Sequence, residues 1–341
     1  MDQYKSSGVD RNIANRLIKK IKGRASKLNS EHVYQEIGGF SGAYSLDGEN
    51  LIVSSADGVG TKIAVARLAN SYKNIGIDVV AMVVNDIIVC GAKPLFFLDY
   101  IAFSMLEAHV LEEVIDGLAL GLEMAKMDLL GGETAQMPNF YQDGLFDIAG
   151  FGIGMVKKNS LITGQTIKAG NVIIGLESSG IHSNGFSLVR KIFFDDLGYS
   201  ISRILPELGK PLSEVLLAPT KIYVNIIERI LSHKITPRGM VHITGGGFTE
   251  NIPRVLPDTL KATINCHFPI PAVFSSLMHH GKLKKAEALG IFNMGVGFIV
   301  IVDKKDSDGV FSCTNALGEK AHIIGYIDHR NPNEPQVIYR Q

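Results

Sequence analysis

The sequence predicts a mixed α/β (α+β) fold of two domains, and three observations support this prediction. Apolar runs of strand length alternate with segments of helical spacing throughout the 341 residues. A chain of this length exceeds the roughly 250–300 residues at which one hydrophobic core stops growing. The 36 glycines cluster at the ends of the apolar runs, which favours ligand-binding loops over flexible spacers. We place the domain boundary near 165–170, so the two domains are 1–168 and 169–341.

The first domain is expected to begin with a helix that Asp10 caps and Gly23 ends. The apolar residues at helical spacing are Ile13, Leu17, Ile18 and Ile21. A loop at 37–42 then precedes a strand at 51–55, and that strand leads into the segment 57–62.

Residues 75–90 are apolar on most sides and predict a buried helix, which Asp78 and Asp86 interrupt. The elements that follow are a strand at 95–103, an amphipathic helix at about 107–126, a short strand ending at 131–134 and a strand at 146–156. This alternation of strands and helices indicates a mixed α/β domain.

A second, similar series of elements begins after turn signals at Gly164 and Gly170. The predicted elements are a strand at 172–176, a helix through Arg190, a helix from Pro219 to about Ser232, a strand at 240–243, a helix from Phe248, and strands at 296–302 and 322–327 with a helix between them. Glycine-rich loops at 178–185 and 244–247 follow two of these strands, so both are candidate ligand loops.

Composition excludes several classes of function. The 34 basic residues balance 34 acidic ones, so no overall field favours nucleic acid or an anionic membrane. No apolar run approaches the roughly 20 residues of a membrane span, and the N-terminal residues lack the apolar core of a secretion signal. Three widely spaced cysteines argue against a disulfide framework and against a cysteine zinc site. We therefore expect a reducing, cytoplasmic location and neither a nucleic-acid nor a membrane partner.

The segment 57–62 carries the most informative chemistry in the chain. Its residues are Asp57, Gly58, Val59, Gly60, Thr61 and Lys62. A carboxylate is a ligand for Mg²⁺, the glycines let backbone N–H groups approach an anion, and a hydroxyl and an ammonium add polar contacts. The spacing fits neither a Walker A loop nor a dinucleotide fingerprint. A turn of this kind can equally serve only to reverse the chain.

Three further carboxylates stand in similar settings. Asp86 interrupts an apolar helix, Asp99 lies within an apolar strand, and Glu133 follows a glycine pair. A carboxylate inside an apolar element needs a partner, because burying it unpaired costs several kcal/mol. For each one a salt bridge or a cap is an alternative, but together with Asp57 they favour a shared Mg²⁺ site.

The loop 178–185 contains His182, Ser183 and Asn184 at a strand-to-helix turn, where free N–H groups suit a phosphate. His182 is a candidate for proton transfer, with a hydrogen bond to its own turn as the alternative. His242 precedes the second loop, and its position is as consistent with a structural role as with a functional one. That loop consists of Thr244, Gly245, Gly246 and Gly247. A hydrolase oxyanion hole there is disfavoured, because the chain lacks a G-x-S-x-G elbow.

The ordered series of motifs resembles the phosphoribosylformylglycinamidine cyclo-ligases, also called aminoimidazole ribonucleotide synthetases. The motifs are YKSSGVD at 4–10, IGGFSG at 37–42, DGVGTK at 57–62, IGIDVVAMVVNDI at 75–87, GAKPLFFLDY at 91–100, GGETAQMP at 131–138, SSGIHSNGFSLVRK at 178–191, LLAPTKIYV at 216–224, TGGGFTENIPRVLP at 244–257 and FNMGVG at 292–297. The departures from the pattern are Gln136, Ile181 and Thr249, and they put loop shape and local affinity in doubt rather than the reaction.

The resemblance implies ATP-dependent closure of an imidazole ring. The formyl amide oxygen of formylglycinamidine ribonucleotide attacks the γ-phosphate of ATP, and the substrate's own amine then attacks the iminophosphate and displaces phosphate. It also implies a homodimer in which the N-terminal domains of two subunits join their sheets.

The roles implied by the resemblance follow the motifs. Mg²⁺ on ATP would be held by Asp57, Asp86 and Glu133, with Asp99 as a ligand or as a neighbour of the ligands. ATP would contact Gly58, Gly60, Thr61 and Lys62, with Gly38 and Gly39 as a mobile loop over it. Substrate would contact His182, Ser183, Asn184, Thr244, Gly245, Gly246 and Gly247, and the catalytic residues would be His182, Asp57 and Lys62.

The rival families share this scaffold. They are the glutamine-dependent amidotransferase that makes this substrate, thiamin-phosphate kinase and selenophosphate synthetase. The last carries a reactive cysteine or selenocysteine in its N-terminal glycine loop, whereas residues 1–89 here contain no cysteine. A non-catalytic protein of the same fold would be expected to have lost some of the carboxylates, and all of them are present.

Overall fold

The computed structural model describes residues 7–8, 11–35 and 37–340 and confirms a mixed α/β fold. Asp10, the predicted helix cap, lies outside the described residues, as does most of the motif at 4–10. The strands form two separate six-stranded sheets, one from each half of the chain. The exact boundary between domains at 168 and 169 stays a prediction.

The first sheet has the strand order β1-β2-β3-β6-β4-β5. Its strands are β1 (Val33–Gln35), β2 (Gly42–Ser45), β3 (Asn50–Gly58), β4 (Lys93–Phe103), β5 (Asp128–Gln136) and β6 (Phe146–Lys157). The β4–β5 pair is parallel, and the other neighbouring pairs are antiparallel. The helices of this half are α1 (Arg11–Ala25), α2 (Lys62–Ala69), α3 (Lys73–Ile88) and α4 (Ala108–Ala125).

Helix α3 lies at the centre of the first half and is buried along nearly its whole length, as predicted. It packs against β3 and β6 on one side and against α4 on the other. Two glycines make the helix pair close. A Cβ at Gly76 would lie 2.1 Å from the Val114 carbonyl oxygen, and one at Gly117 would lie 1.7 Å from the Lys73 oxygen. Larger residues would force the helices apart.

The second sheet has the strand order β12-β9-β11-β7-β10-β8. Its strands are β7 (Val172–Glu177), β8 (Gly239–His242), β9 (Leu260–Asn265), β10 (Val296–Val302), β11 (Ala321–His329) and β12 (Val337–Arg340). The helices are α5 (Phe186–Arg190), α6 (Leu212–Leu216), α7 (Val224–Ser232), α8 (Gly247–Asn251), α9 (Ala272–His280), α10 (Lys285–Leu289) and α11 (Ser307–Asn315). A π-helical segment, Lys191–Asp196, continues α5.

Several predicted boundaries are wrong. The first helix continues past Gly23 to Ala25, and the strand expected at 51–55 continues to Gly58. The helix expected from Pro219 begins at Val224, because backbone N–H groups of the preceding segment donate instead to side chains of α3. The short strand expected to end at 131–134 continues to Gln136, since it stays paired with β4 to that point. The short elements β1, β2, β9, β12, α2, α6, α9 and α10 were not predicted, because so few residues carry little periodic signal.

The apolar residues of α1 have the helical spacing that predicts the helix, but they remain exposed in this chain. They are Ile13, Leu17, Ile18 and Ile21. Their spacing therefore identified the element without identifying what it packs against. In the part of the chain that is described, every helix is too short or too polar to cross a bilayer.

Candidate active site

A pocket of about 390 Å³ lies where the two halves of the chain meet. The end of β3 and the loop after it contribute Asp57, Gly58, Val59, Gly60 and Thr61, and the loop after β7 together with the start of α5 contributes Ser183, Asn184, Gly185, Phe186 and Ser187. The two loops touch where Thr61 Oγ1 lies 3.3 Å from Ser187 Oγ. The structure thus brings the predicted ATP loop and the predicted substrate loop to one cavity.

Asp57 is the most perturbed carboxyl group of this pocket. Its pKa is raised to about 6, first by burial and second by the neighbouring charge of Asp86. One opposing contact is the hydrogen bond from the Gly58 N–H to Oδ1, at 2.8 Å. A buried carboxylate beside a second carboxylate forms a site at which a bound cation would offset the negative charge.

Asp86 is held from the second half of the chain. Nδ1 of His242 lies 2.8 Å from Asp86 Oδ1, so the Nδ1–H tautomer donates to the carboxylate. Both side chains are nearly or fully buried. His242 ends β8, immediately before the 244–247 loop, so this contact ties that loop to the first domain. The sequence left the role of His242 open, and the structure places it beside a candidate metal ligand.

The structure does not bring Glu133 to the other two proposed metal ligands. Asp57 and Asp99 both pair with Gly150, whereas Glu133 pairs with Tyr100, one position along β4. Because successive side chains of a strand point to opposite faces, Glu133 and Asp57 lie on opposite faces of the sheet. Helix α3 covers the face of Asp57, and Glu133 is exposed on the other one, which we call the open face. Among the described residues, no three His, Cys, Asp or Glu side chains are grouped closely enough to hold a metal ion. Asp57 and Asp86 alone still suit Mg²⁺, which commonly takes one or two carboxylates plus phosphate oxygens.

Asp99 shares the face of Asp57 but not its position. The strand β6 lies between β3 and β4, so the two carboxylates are separated by two strand spacings, about 10 Å. Burial raises the pKa of Asp99. The neighbouring strand makes room for it with Gly132, where a Cβ would lie 2.3 Å from Asp99 Oδ1. Direct sharing of one ion with Asp57 is therefore not supported.

Lys62 takes a different place from the one expected of a phosphate contact. Its side chain is fully buried, with Nζ 2.9 Å from Asp78 Oδ1 and 2.7 Å from Oδ2. Nζ also donates to the carbonyl oxygen of Ala218 at 2.8 Å. Burial lowers the pKa of Lys62 while the Asp78 charge opposes that effect. Helix α2 begins at this residue and turns the side chain away from the pocket that Thr61 lines.

His182 is also directed inward. It is 2% exposed, and its Nε2 accepts a long hydrogen bond of 3.4 Å from the Ser179 N–H. Its φ of +68° is in the left-handed region, which is uncommon for a residue with a side chain and often marks a functional turn. Burial, and next the proximity of His242, hold its pKa well below the usual value. The geometry matches the turn hydrogen bond that was the alternative to proton transfer.

Of the remaining substrate candidates, Ser183 and Asn184 line the pocket. Ser183 Oγ lies 2.8 Å from Thr220 Oγ1, and Oδ1 of Asn184 is buried with no hydrogen-bond partner among the residues that the structure describes. The 244–247 loop is held by Asn251, whose Nδ2 lies within hydrogen-bonding distance of the carbonyl oxygens of Thr244, Gly245 and Gly247. Gly246 adopts a φ of +89° that favours glycine. This loop lies behind Asn184 rather than on the cavity wall, because a Cβ at Gly245 would lie 3.6 Å from Asn184 Nδ2.

Gly38 and Gly39 border a second pocket of about 510 Å³. Its lining includes Ile52, Ser54 and Ala56 of β3, which alternate with Val53, Ser55 and Asp57 along the strand, and of this second set it reaches Ser55 but not Asp57. The pocket therefore opens on the other face of the sheet from Asp57, next to it along the same strand. The proposed ATP residues are divided between the two faces.

Sequence reasoning missed several residues at the site. Asp147 lines the 390 Å³ pocket at the start of β6, and only its position before a glycine-rich strand could have indicated it. Asn85 donates to the Lys221 carbonyl oxygen and accepts from the Tyr223 N–H. A second polar residue beside Asp86 in an apolar helix was the available signal for Asn85.

The comparisons with known proteins agree across most of the chain. Residues 38–156 match the family model "AIR synthase related protein, N-terminal domain", and residues 168–338 match "AIR synthase related protein, C-terminal domain". The chain is 48% identical to the phosphoribosylformylglycinamidine cyclo-ligase of Thermoanaerobacter pseudethanolicus, over 95% of this chain and 97% of the relative. It is 47% identical to that of Desulfotalea psychrophila, over 98% of this chain and 96% of the relative.

Solved structures that resemble this chain share its fold at low identity. A thiamine-monophosphate kinase from Stenotrophomonas maltophilia K279a superposes with a TM-score of 0.64 and 16% identity, over 93% of each chain. AaThiL complexed with AMPPCP and TMP superposes with a TM-score of 0.62 and 15% identity, over 95% of this chain and 92% of that one. At these identities the likeness establishes the architecture alone.

Proposed function

The chain belongs to the AIR synthase related protein family, and from that membership we propose that it is a phosphoribosylformylglycinamidine cyclo-ligase, an aminoimidazole ribonucleotide synthetase of purine biosynthesis. The carrying observation is an identity of 48% with a cyclo-ligase over 95% of the chain. The enzyme converts formylglycinamidine ribonucleotide and ATP to aminoimidazole ribonucleotide, ADP and phosphate.

The reaction requires activation of an oxygen that is a poor leaving group. The formyl amide oxygen attacks the γ-phosphorus of ATP, the bond to the ADP oxygen breaks, and an iminophosphate forms. The substrate's amine then attacks the carbon of the iminophosphate, the carbon–oxygen bond breaks, and phosphate leaves as the ring closes. Because the amine is tethered, ring closure benefits from high effective molarity. The protein must chiefly orient the two substrates, balance phosphate charge and exclude water.

The pocket at the junction of the two halves is the proposed place of phosphoryl transfer. Asp57 and Asp86 are the proposed ligands of Mg²⁺, which when bound neutralises charge on the phosphate oxygens. Asp57 would contribute an ionised oxygen, and His242 would hold Asp86 in one orientation through its hydrogen bond. The backbone N–H of Gly60 and the hydroxyl of Thr61 would face the phosphates. Gly58, whose N–H donates to Asp57 Oδ1, would let the nucleotide approach the end of the strand.

The substrate side of the pocket comes from the second half. Ser183 and Asn184 are proposed to bind formylglycinamidine ribonucleotide. The buried Oδ1 of Asn184, which has no partner in the described part of the chain, supports this. The loop of Thr244, Gly245, Gly246 and Gly247 supports Asn184 from behind. Gly38 and Gly39 border the second pocket, so their proposed role as a mobile loop over the nucleotide requires the loop to move toward Asp57 or the nucleotide to extend past the end of β3. His182 keeps a proposed role in substrate binding or proton transfer, which its buried position makes dependent on a change at its turn.

A homodimer is proposed to cover the open face of the first sheet. Phe151 and Met155 of β6 and Tyr44 of β2 are exposed there, and Leu129 and Leu130 are exposed on the edge strand β5. A sheet normally buries both an apolar face and its edges against another layer or chain. Light scattering at micromolar concentration should report twice the monomer mass, and a monomer would contradict the proposal.

The three unpaired, buried cysteines support the proposed reducing, cytoplasmic location.

The test is to incubate the purified protein with Mg²⁺, ATP and formylglycinamidine ribonucleotide. ADP and aminoimidazole ribonucleotide are measured in parallel, with a control lacking the ribonucleotide. One aminoimidazole ribonucleotide for each substrate-dependent ADP would establish the reaction. ADP without aminoimidazole ribonucleotide would move the chain to a kinase or synthetase of the same fold, and no ADP would indicate a non-catalytic relative.

A further inference from the structure

Helix α3 carries polar residues on one side that all contact the second half of the chain. Asp78 accepts from the Thr220 N–H at 2.7 Å, Asn85 contacts the backbone at Lys221 and Tyr223, and Asp86 contacts His242. The spacings of seven and eight residues place these side chains along one stripe of the helix. The stripe holds the segment 218–223, which has no regular secondary structure of its own.

Through Asp78, this stripe links the two loops of the 390 Å³ pocket. Lys62, the last residue of the 57–62 segment, binds the Asp78 carboxylate and the Ala218 carbonyl oxygen. Asp78 in turn binds the N–H of Thr220. The hydroxyl of Thr220 lies 2.8 Å from that of Ser183 in the substrate loop. We call this buried series of contacts, Lys62–Asp78–Thr220–Ser183, the linking chain.

The burial of the linking chain indicates a role other than stability. The side chains of Lys62 and Asp78 are both 0% exposed. A buried ion pair is often no more stabilising than apolar residues of the same volume, so it is weak evidence for a contribution to folding. A charged pair constrains geometry better than apolar contacts do, because hydrogen bonds are directional. Its hydrogen bonds define where Ala218 and Thr220 lie.

We propose that Lys62 and Asp78 are positioning residues that set Ser183 against the 57–61 loop by way of Thr220. Lys62 then acts through Asp78 and not as a ligand of the ATP phosphates. This inference rests on the proposed function, since it identifies what aligns the two substrates at the pocket. Small displacements of a reacting pair lower rates strongly, and a misplacement of about 1 Å can cost about 100-fold.

Two variants interrupt the linking chain at different contacts. Lys62→Met with Asp78→Leu fills the buried space with apolar side chains while removing the acceptor of the Thr220 N–H. Thr220→Val keeps the shape and the backbone contact but removes the hydroxyl that meets Ser183. The matched control is Lys126→Ala with Glu228→Ala, because this exposed ion pair also joins the two halves but lies away from the pocket.

Steady-state kinetics with each substrate varied and amide hydrogen exchange of the unliganded proteins provide the readouts. For the apolar double variant we expect kcat/KM for formylglycinamidine ribonucleotide to fall about 100-fold. For Thr220→Val we expect a fall of about tenfold, the effect of one lost hydrogen bond. Exchange should become faster at 178–187 in both variants and at 217–223 only in the double variant. The control should match the wild type in every readout.

Two results would overturn the proposal. One is wild-type kcat/KM in Thr220→Val together with unchanged exchange at 178–187. The other is a defect in the double variant that is confined to KM for ATP, which would indicate that Lys62 contacts the ATP phosphates. If the double variant does not fold, Thr220→Val decides alone. If the wild type forms no aminoimidazole ribonucleotide, the proposed function fails, while exchange at 178–187 still reports whether Thr220 positions Ser183.

Discussion

Replacing Asp57 with Asn should strongly lower turnover and at the same time make the unliganded protein more stable at neutral pH. The carboxylate is buried beside Asp86, and its pKa is raised from 3.8 to about 6. The charged form is therefore the one that folding disfavours. Asn keeps the shape of the side chain and the hydrogen bond from the Gly58 N–H while removing the charge. The metal role requires the charge, so turnover should fall at least about 100-fold.

The magnitude follows from the pKa. A rise from 3.8 to about 6 corresponds to about 3 kcal/mol at about 1.4 kcal/mol for each pKa unit. Because water in the pocket screens part of this effect, we expect Asp57→Asn to raise the free energy of unfolding by about 1–2 kcal/mol. The folded pKa exceeds the unfolded one, so the folded state binds more protons between about pH 4 and pH 6, and wild-type stability from this group falls as pH rises through that window. The advantage of the variant grows over the same window and disappears below it.

Urea unfolding of both proteins at several pH values, without Mg²⁺ or nucleotide, measures this effect. Asp147→Asn is the matched control, because Asp147 also lines the pocket and also accepts the N–H of the next residue, but it is exposed. Its stability should change little. Equal stability of wild type and Asp57→Asn at about pH 8, or a gain that persists unchanged under acid conditions, would refute the electrostatic reasoning. Near-normal turnover at saturating Mg²⁺ would remove Asp57 from the metal site.

Three further outcomes are expected. His182→Ala should cause a large loss in turnover or in substrate affinity. Unchanged kinetics would indicate that His182 only stabilises its own turn. Gly297→Ala should lower the free energy of unfolding by about 1–3 kcal/mol, because the new Cβ would lie 2.2 Å from Tyr223 Oη and 2.3 Å from His182 Cε1; an unchanged urea midpoint would contradict that packing. Burial raises the pKa of Cys90 to about 11, so a thiol reagent at neutral pH should modify Cys90 only after unfolding, as mass spectrometry can verify.

The sequence by itself determined the elements whose signal is local and long. Helix α3 was predicted at 75–90 and found at Lys73–Ile88, because a run of apolar residues on all sides has few alternatives to burial as a helix. The loops after β3 and β7 were identified for the same local reason, since small residues at the end of an apolar strand restrict what can follow. The resemblance carried the function, and the comparisons confirmed the family.

Only the tertiary structure decided which of these residues meet. Glu133 was grouped with Asp57 and Asp86, but the register of β4 with β5 sends it to the opposite face of the sheet. Lys62 was grouped with the phosphates, but the first turn of α2 directs it to Asp78. His242 reaches Asp86 across 156 positions of sequence. Strand register, helix phase and contacts between distant segments depend on packing as a whole, and a local pattern contains no information about them.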